Sequence, residues 1–164
     1  MGTGKSSVGR LLADQLHFDF LDTDELVESR AGKCISEIFS SEGETAFRQH
    51  ELEVVAGLVA RHRAIIATGG GVGASPVNLS SLKEHALVVC LWASPERIWE
   101  RVRGQTHRPL LKDPDPLAKI RQLLAAREAC YKQADVVMNT EAHSMTEVAQ
   151  QVVLQFNQAR SLYR

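Results

Sequence analysis

The sequence predicts an α/β fold in which a parallel sheet is wrapped by helices on both faces. Three observations carry that expectation. Short apolar segments of strand length alternate with stretches of helical periodicity along most of the chain. One of them, Leu87-Val-Val-Cys-Leu-Trp, is apolar without interruption, the pattern of a strand covered on both sides. Two glycine-rich turns, around Gly2–Gly4 and at Gly69-Gly70-Gly71, sit where such segments meet helices. A length of 164 residues, 44% hydrophobic and 24% charged, is that of one globular domain with a substantial core, and the single domain is taken to span 1–164.

In chain order, Ser6 to Gln15 carries Val8, Leu11, Leu12 and Ala13 at helical spacing. A short strand follows at Phe18-Asp-Phe-Leu. Helical pattern resumes from Glu25 to Ser29 and from Ile35 to Phe39. A longer amphipathic helix over about Glu44 to Arg61 buries Phe47, Val54, Val55 and Leu58. The second strand is Ala64-Ile-Ile-Ala-Thr, leading directly into the triple glycine. Ser75-Pro76 and Ser94-Pro95 each read as a helix cap followed by a first-turn proline. The run Leu87–Trp92 is the third strand, and the helix opened by Ser94 ends near Arg103. A polar loop with Pro109, Pro114 and Pro116 fills about 104–116. Helix returns from Leu117 to about Tyr131, Asp135-Val-Val-Met-Asn is the last strand, and a helix from Ser144 to about Arg160 closes the pattern.

The charge balance limits the partners. A net charge of -1 and a pI near 6.6 give no basic excess for a nucleic-acid backbone, so a small molecule is expected. Cys34, Cys90 and Cys130 are far apart and read as buried packing residues in a reducing cytoplasm, with neither a disulfide framework nor a zinc site. No apolar run reaches the roughly 20 residues of a membrane span, and no signal-peptide pattern is present. Met1-Gly2 with Ser6 matches a myristoylation pattern, but Gly2 and Ser6 have a better use.

That use is phosphate binding. In a P-loop, G-x-x-x-x-G-K-[ST], consecutive backbone N–H groups and a helix N-terminus face the phosphates. The lysine reaches the β and γ groups, and the hydroxyl holds Mg²⁺. Gly2, Gly4, Lys5 and Ser6 supply those parts, with Thr3 and Ser7 in the same turn. The first glycine of the pattern would fall two residues before Met1, and a P-loop hangs from a buried strand. The expectation is therefore that a central strand is missing here and that Met1 is internal to a longer natural protein.

Asp22 and Asp24 end the first strand two residues apart, so both side chains are expected to point to the same side, at the carboxyl edge where open α/β sheets bind ligands. One could hold Mg²⁺ while the other meets a substrate hydroxyl; the competing use is that Thr23 or Asp24 caps the next helix. Gly69-Gly70-Gly71 exceeds what a turn needs and suggests close backbone approach to a ligand. Arg48 and Arg127 could each fork onto a carboxylate, or could be solvated surface arginines. Arg108, in the polar loop, suits a lid that closes over phosphates. The histidines show no ligand spacing.

Together G-T-G-K-S-S, L-D-T-D, F-R-x-x-E, A-T-G-G-G-V, R-P-L-L and R-x-x-x-Y resemble the shikimate kinase family in order and spacing, from Gly2 to about Thr140. The resemblance implies a three-layer αβα P-loop kinase fold of sheet order 2-3-1-4-5, and transfer of the γ-phosphate of ATP to the 3-hydroxyl of shikimate, with Mg²⁺, in aromatic amino-acid biosynthesis. It implies that Lys5 contacts the phosphates, that Ser6 and Asp22 hold Mg²⁺, and that Asp24 takes the shikimate hydroxyls. It assigns the substrate, chiefly its carboxylate, to Arg48, Arg127 and the Gly70 backbone, flanked by Gly69 and Gly71. Arg108 would be the lid arginine on ATP, and Arg101 would lie against adenine. Glu141-Ala142-His143 stands where the family often carries a basic adenine-side loop, which makes His143 a weak candidate. A cytoplasmic monomer without membrane or nucleic-acid partners is expected. The alternatives are another small P-loop kinase such as a gluconate kinase, against which L-D-T-D and R-P-L-L argue, and a non-catalytic relative with an incomplete nucleotide site.

Overall fold

A computed structural model describes residues 2–104 and 113–162. Arg108 and most of the expected lid at 104–116 lie outside the described residues. The elements run α1 (Lys5–Leu16), β1 (Asp19–Asp22), α2 (Thr23–Ala31), α3 (Ile35–Ser41), α4 (Gly43–Gly57), β2 (Ala64–Ala67), α5 (Pro76–Lys83), β3 (Val89–Trp92), α6 (Pro95–Val102), α7 (Pro116–Tyr131), β4 (Val136–Asn139) and α8 (Met145–Leu162). Single 3₁₀ turns follow α4 at Leu58–Ala60 and precede α5 at Val72–Ala74.

The strands form two parallel pairs. In the first, Asp19 of β1 stands opposite Ala64 of β2 and Asp22 opposite Ala67. In the second, Val89 of β3 faces Val136 of β4 and Trp92 faces Asn139. Among the described residues no ladder joins β2 to β3. In the expected order 2-3-1-4-5, β1 to β4 fill places 2, 3, 4 and 5, the two pairs on either side of its middle.

Helix α1 ties the pairs together. Its apolar face, with Val8, Leu11 and Leu12, shares one cluster with Ile65 of β2, Val89 and Leu91 of β3, Val136 and Met138 of β4, and Val148, Ala149 and Val152 of α8. Each aliphatic side chain buried there contributes about 1.5–3 kcal/mol. Gly9 lets α1 approach β1 closely, since a Cβ there would sit 2.7 Å from the Phe20 ring. A second cluster, of Val27, Ile38, Phe47 and Val54, packs α2, α3 and α4 into a helical layer beside the site. Ile98, Val102 and Ile120 join α6 to α7.

The helix starts follow the predicted chemistry. Ser75 Oγ accepts the Asn78 N–H and Ser94 Oγ accepts the Arg97 N–H, each followed by proline at the first helical position. Helix α7 uses the same device one residue before the predicted start, with Asp115 Oδ1 accepting the Ala118 N–H at 3.0 Å. β3 begins two residues later than predicted because the Val88 N–H donates to Asp135 Oδ2 at 2.9 Å instead of joining the ladder. The long helix is α only to Gly57, where it tightens into a 3₁₀ turn.

The cysteines differ from expectation. Cys34 is exposed because it is the N-cap of α3, where its N–H donates to Glu37 Oε2 at 2.9 Å. Cys90 and Cys130 are half-buried. No helix among the described residues is long and apolar enough to cross a membrane.

Candidate active site

The carboxyl ends of the strands and the head of α1 surround a cleft of about 730 Å³, lined by Lys5, Asp22, Asp24, Gly70, Arg101 and Arg127 among others. The cleft thus gathers Asp22 at the end of β1, the residues that follow β2 and β4, and side chains of α6 and α7.

Its floor is the first glycine turn. Gly2 and Gly4 have φ of 71° and 92°, and Gly4 is the N-cap of α1, its carbonyl accepting the Val8 N–H at 2.8 Å. An L-residue resists the left-handed region, so glycine is what lets the chain turn into α1 with Lys5 as its first residue. Thr3 is buried, and Ser6 and Ser7 open the helix behind Lys5.

Asp22 performs two tasks at once. Its Oδ1 accepts the Asp24 N–H at 3.0 Å, capping α2, and its Oδ2 accepts the Ser6 hydroxyl at 3.1 Å. The cap expected of Thr23 or Asp24 is therefore Asp22. The two carboxylates also do not share one strand face: Asp22 ends β1 and Asp24 lies in the first turn of α2, so the strand-to-helix turn brings them together. Thr23 is almost fully buried and its Oγ1 accepts the Gly69 N–H at 2.9 Å.

The three glycines make room for four different side chains. A Cβ at Gly69 would overlap Asp24 Oδ1, and one at Gly71 would overlap Arg48 Nη1. A Cβ at Gly70 would stand 3.3 Å from Arg127 Nη1 and 3.4 Å from Tyr131 Oη. The close approach expected of these glycines is thus met by the protein's own functional groups.

Asp24 opens onto the cleft, but its carboxylate is packed against Gly69. Loss of hydration there raises its pKa above the ordinary 3.8; the Asp22 charge adds to this, and Lys5 pulls the other way. Arg48 is held from two sides, Nη1 donating to Glu51 Oε2 at 2.6 Å and Nη2 to Glu44 Oε1 at 2.8 Å, with the guanidinium 5.2 Å from the Phe47 ring centre. Burial pushes the Glu51 carboxyl up, and its hydrogen bond to Arg48 opposes that. Arg127, from α7, reaches the glycine run at Gly70, its Nη1 3.3 Å from where a Cβ there would stand. Arg101 forks onto Thr140, Nη1 to the hydroxyl at 3.0 Å and Nη2 to the carbonyl at 2.6 Å, which fixes it on the cleft wall near His143.

Sequence reasoning missed Thr23, Glu51, Tyr131 and Thr140 as parts of this site. Glu51 had a signal, its i+3 spacing from Arg48 in F-R-x-x-E, and Tyr131 had another in R-x-x-x-Y. Thr140 meets Arg101 across 39 residues, with no local pattern to announce it.

The donor set suits a hard cation bound mainly by phosphates. Ser6 Oγ and Asp22 Oδ2 converge beside Lys5, whereas no cluster of three or more His, Cys, Asp or Glu capable of holding a metal occurs among the described residues. That is the arrangement Mg²⁺ favours when it arrives with a nucleotide, through one or two protein oxygens.

Comparison with known proteins follows the same line. A family model described as Shikimate kinase matches residues 1–157. The chain is 43% identical to a shikimate kinase of Thermodesulfovibrio yellowstonii over 95% of its length and 90% of the relative's. It is 45% identical to one of Symbiobacterium thermophilum over 93% and 90%. Among solved structures it resembles a shikimate kinase from Acinetobacter baumannii in complex with shikimate, with a TM-score of 0.89, 35% identity, and coverage of 97% of this chain and 89% of that one.

Proposed function

The chain belongs to the shikimate kinase family, and from that premise we propose how its residues divide the work. The reaction is transfer of the γ-phosphate of ATP to the 3-hydroxyl of shikimate in aromatic amino-acid biosynthesis. The hydroxyl oxygen forms a bond to the γ-phosphorus, the bond from that phosphorus to the bridging oxygen breaks, ADP leaves, and the hydroxyl proton passes to a base.

Asp24 is that base and also orients the substrate hydroxyls. The observation that carries this role is its position: a carboxylate released from capping by Asp22, facing the cleft near Lys5, with its basicity raised. A carboxylate of higher pKa is a better proton acceptor. Lys5 and the N–H groups of the Gly2–Ser7 turn hold the phosphates. Ser6 and Asp22 hold Mg²⁺, which when bound neutralises phosphate charge. Arg48 and Arg127, which stand against Gly71 and Gly70, receive the shikimate carboxylate with the Gly70 backbone. Arg101 borders the base end of the nucleotide. Arg108, outside the described residues, completes the phosphate cations from the 104–116 lid.

One domain over 1–164, working as a cytoplasmic monomer with no nucleic-acid or membrane partner, completes the reading; the near-neutral charge of -1 supports the lack of a nucleic-acid partner. Gel filtration of the purified protein checks the monomer. The test of the function is ATP turnover with shikimate, followed in the wild type and in Asp24→Asn. Turnover should vanish in the variant while ATP binding persists, and a variant with near-normal kcat would remove Asp24 from the chemistry.

A further inference from the structure

We propose that Tyr131 is a positioning residue for the carboxylate end of the substrate, acting through the Gly69–Gly70 peptide; the inference rests on the functional reading above. The run of three glycines has no side chain of its own to hold it, and a peptide between two glycines can rotate with little steric penalty. Two side chains from distant parts of the chain remove that freedom. Thr23, at the head of α2, accepts the Gly69 N–H at 2.9 Å. Tyr131, at the end of α7, donates its hydroxyl to the Gly70 carbonyl at 2.8 Å. The peptide between these two anchors is the one whose N–H belongs to Gly70, and that N–H has no acceptor among the described residues. Fixed on both sides and left without a partner, it is a donor set in place for an anion.

The placement of Tyr131 links this donor to Arg127. The two residues lie four apart on α7 and so project from one face of the helix. Arg127 Nη1 and Tyr131 Oη would both crowd a Cβ at Gly70, at 3.3 and 3.4 Å, while the Tyr131 ring lies 3.4 Å from the corresponding point at Gly73. One helix face therefore carries the cation and sets the orientation of the neighbouring N–H. Loss of the hydroxyl alone would leave the ring contact and Arg127 in place but release the Gly70 carbonyl.

Tyr131→Phe makes that change. Wild-type turnover of shikimate is measured first, and its absence would sink the functional reading and this proposal with it. Given turnover, the KM for shikimate in Tyr131→Phe should rise about tenfold, the order expected for one lost hydrogen bond. KM for ATP and kcat should stay within about twofold. The preference of the wild type for shikimate over its methyl ester should shrink by a similar factor, because the ester lacks the anion that the Gly70 N–H receives. An unchanged KM for shikimate overturns the proposal while leaving the functional reading intact. Equal increases in both KM values, or a higher KM for shikimate with the ester preference preserved, would show Tyr131 to be an ordinary structural tether.

Discussion

The two glycine runs use the same residue for opposite reasons. Gly4 has a backbone that only glycine adopts easily, φ 92°, and a Cβ there would meet nothing nearer than Val8 Cγ2 at 3.9 Å. Gly69 and Gly71 have no positive φ, yet a Cβ at either would strike a functional side chain. Gly4 is glycine because of torsion, Gly69 and Gly71 because of space, and Gly2 for both reasons, with φ 71° and a Cβ that would stand 2.8 Å from Val102 Cγ1. An alanine in the first should strain the fold and the nucleotide turn, whereas an alanine at Gly69 or Gly71 should spare the fold and displace the groups proposed to meet shikimate.

The largest effect that sharpens this contrast is expected from Gly69→Ala. The new methyl must push the Asp24 carboxylate aside, and loss of a positioned base lowers kcat by roughly 10²–10⁴-fold. The melting temperature should barely move, because a side-chain end yields more easily than backbone. A strongly lowered melting temperature would erase the distinction between the runs. Gly71→Ala comes next: displacement of Arg48 should cost about 1.5–3 kcal/mol of substrate binding, read as a higher KM for shikimate with KM for ATP unchanged. Parallel rises in both would contradict the division.

Gly4→Ala tests the other side. Placing an L-residue in the left-handed region costs about 1–2 kcal/mol, which denaturant unfolding would register, and KM for ATP should rise more than KM for shikimate. A stability equal to wild type would mean that torsion is not what this glycine supplies.

The smallest effect is in pH dependence. As the proposed base, Asp24 would work deprotonated, so activity should fall as pH drops through its pKa. Burial and then the Asp22 charge raise that pKa in spite of Lys5, so the acid limb of kcat/KM for shikimate should lie above the ordinary aspartate value of 3.8. A limb at or below that value would place Asp24 in open water rather than against Gly69.

Legibility in the sequence follows the same physics. Elements announced by local chemistry were readable: the Ser-Pro starts of α5 and α6, the Gly-Lys-Ser head of α1, and the apolar runs of β2 and β3. The site residues that the cleft brings together carried short motifs, from Lys5 to Arg127. What escaped were jobs set by partners far along the chain. That Asp22 rather than Thr23 caps α2 depends on Thr23 being taken up by Gly69, 46 residues away. Cys34 was read as core from its residue type, but a position at a helix start outweighs that preference.

Helix α1 both heads the phosphate turn and shares its apolar cluster with residues of β2, β3 and β4. Ligand binding at its first residues should therefore be felt by two strand pairs that share no ladder among the described residues. Nucleotide occupancy should slow amide hydrogen exchange in Ala64–Ala67 and in Val89–Trp92 together, since opening either pair exposes the helix face that the bound state needs ordered. The enzyme's cooperativity of folding then becomes a property that its own substrate can tune, with α1 as the shared element through which both halves register that the nucleotide has arrived.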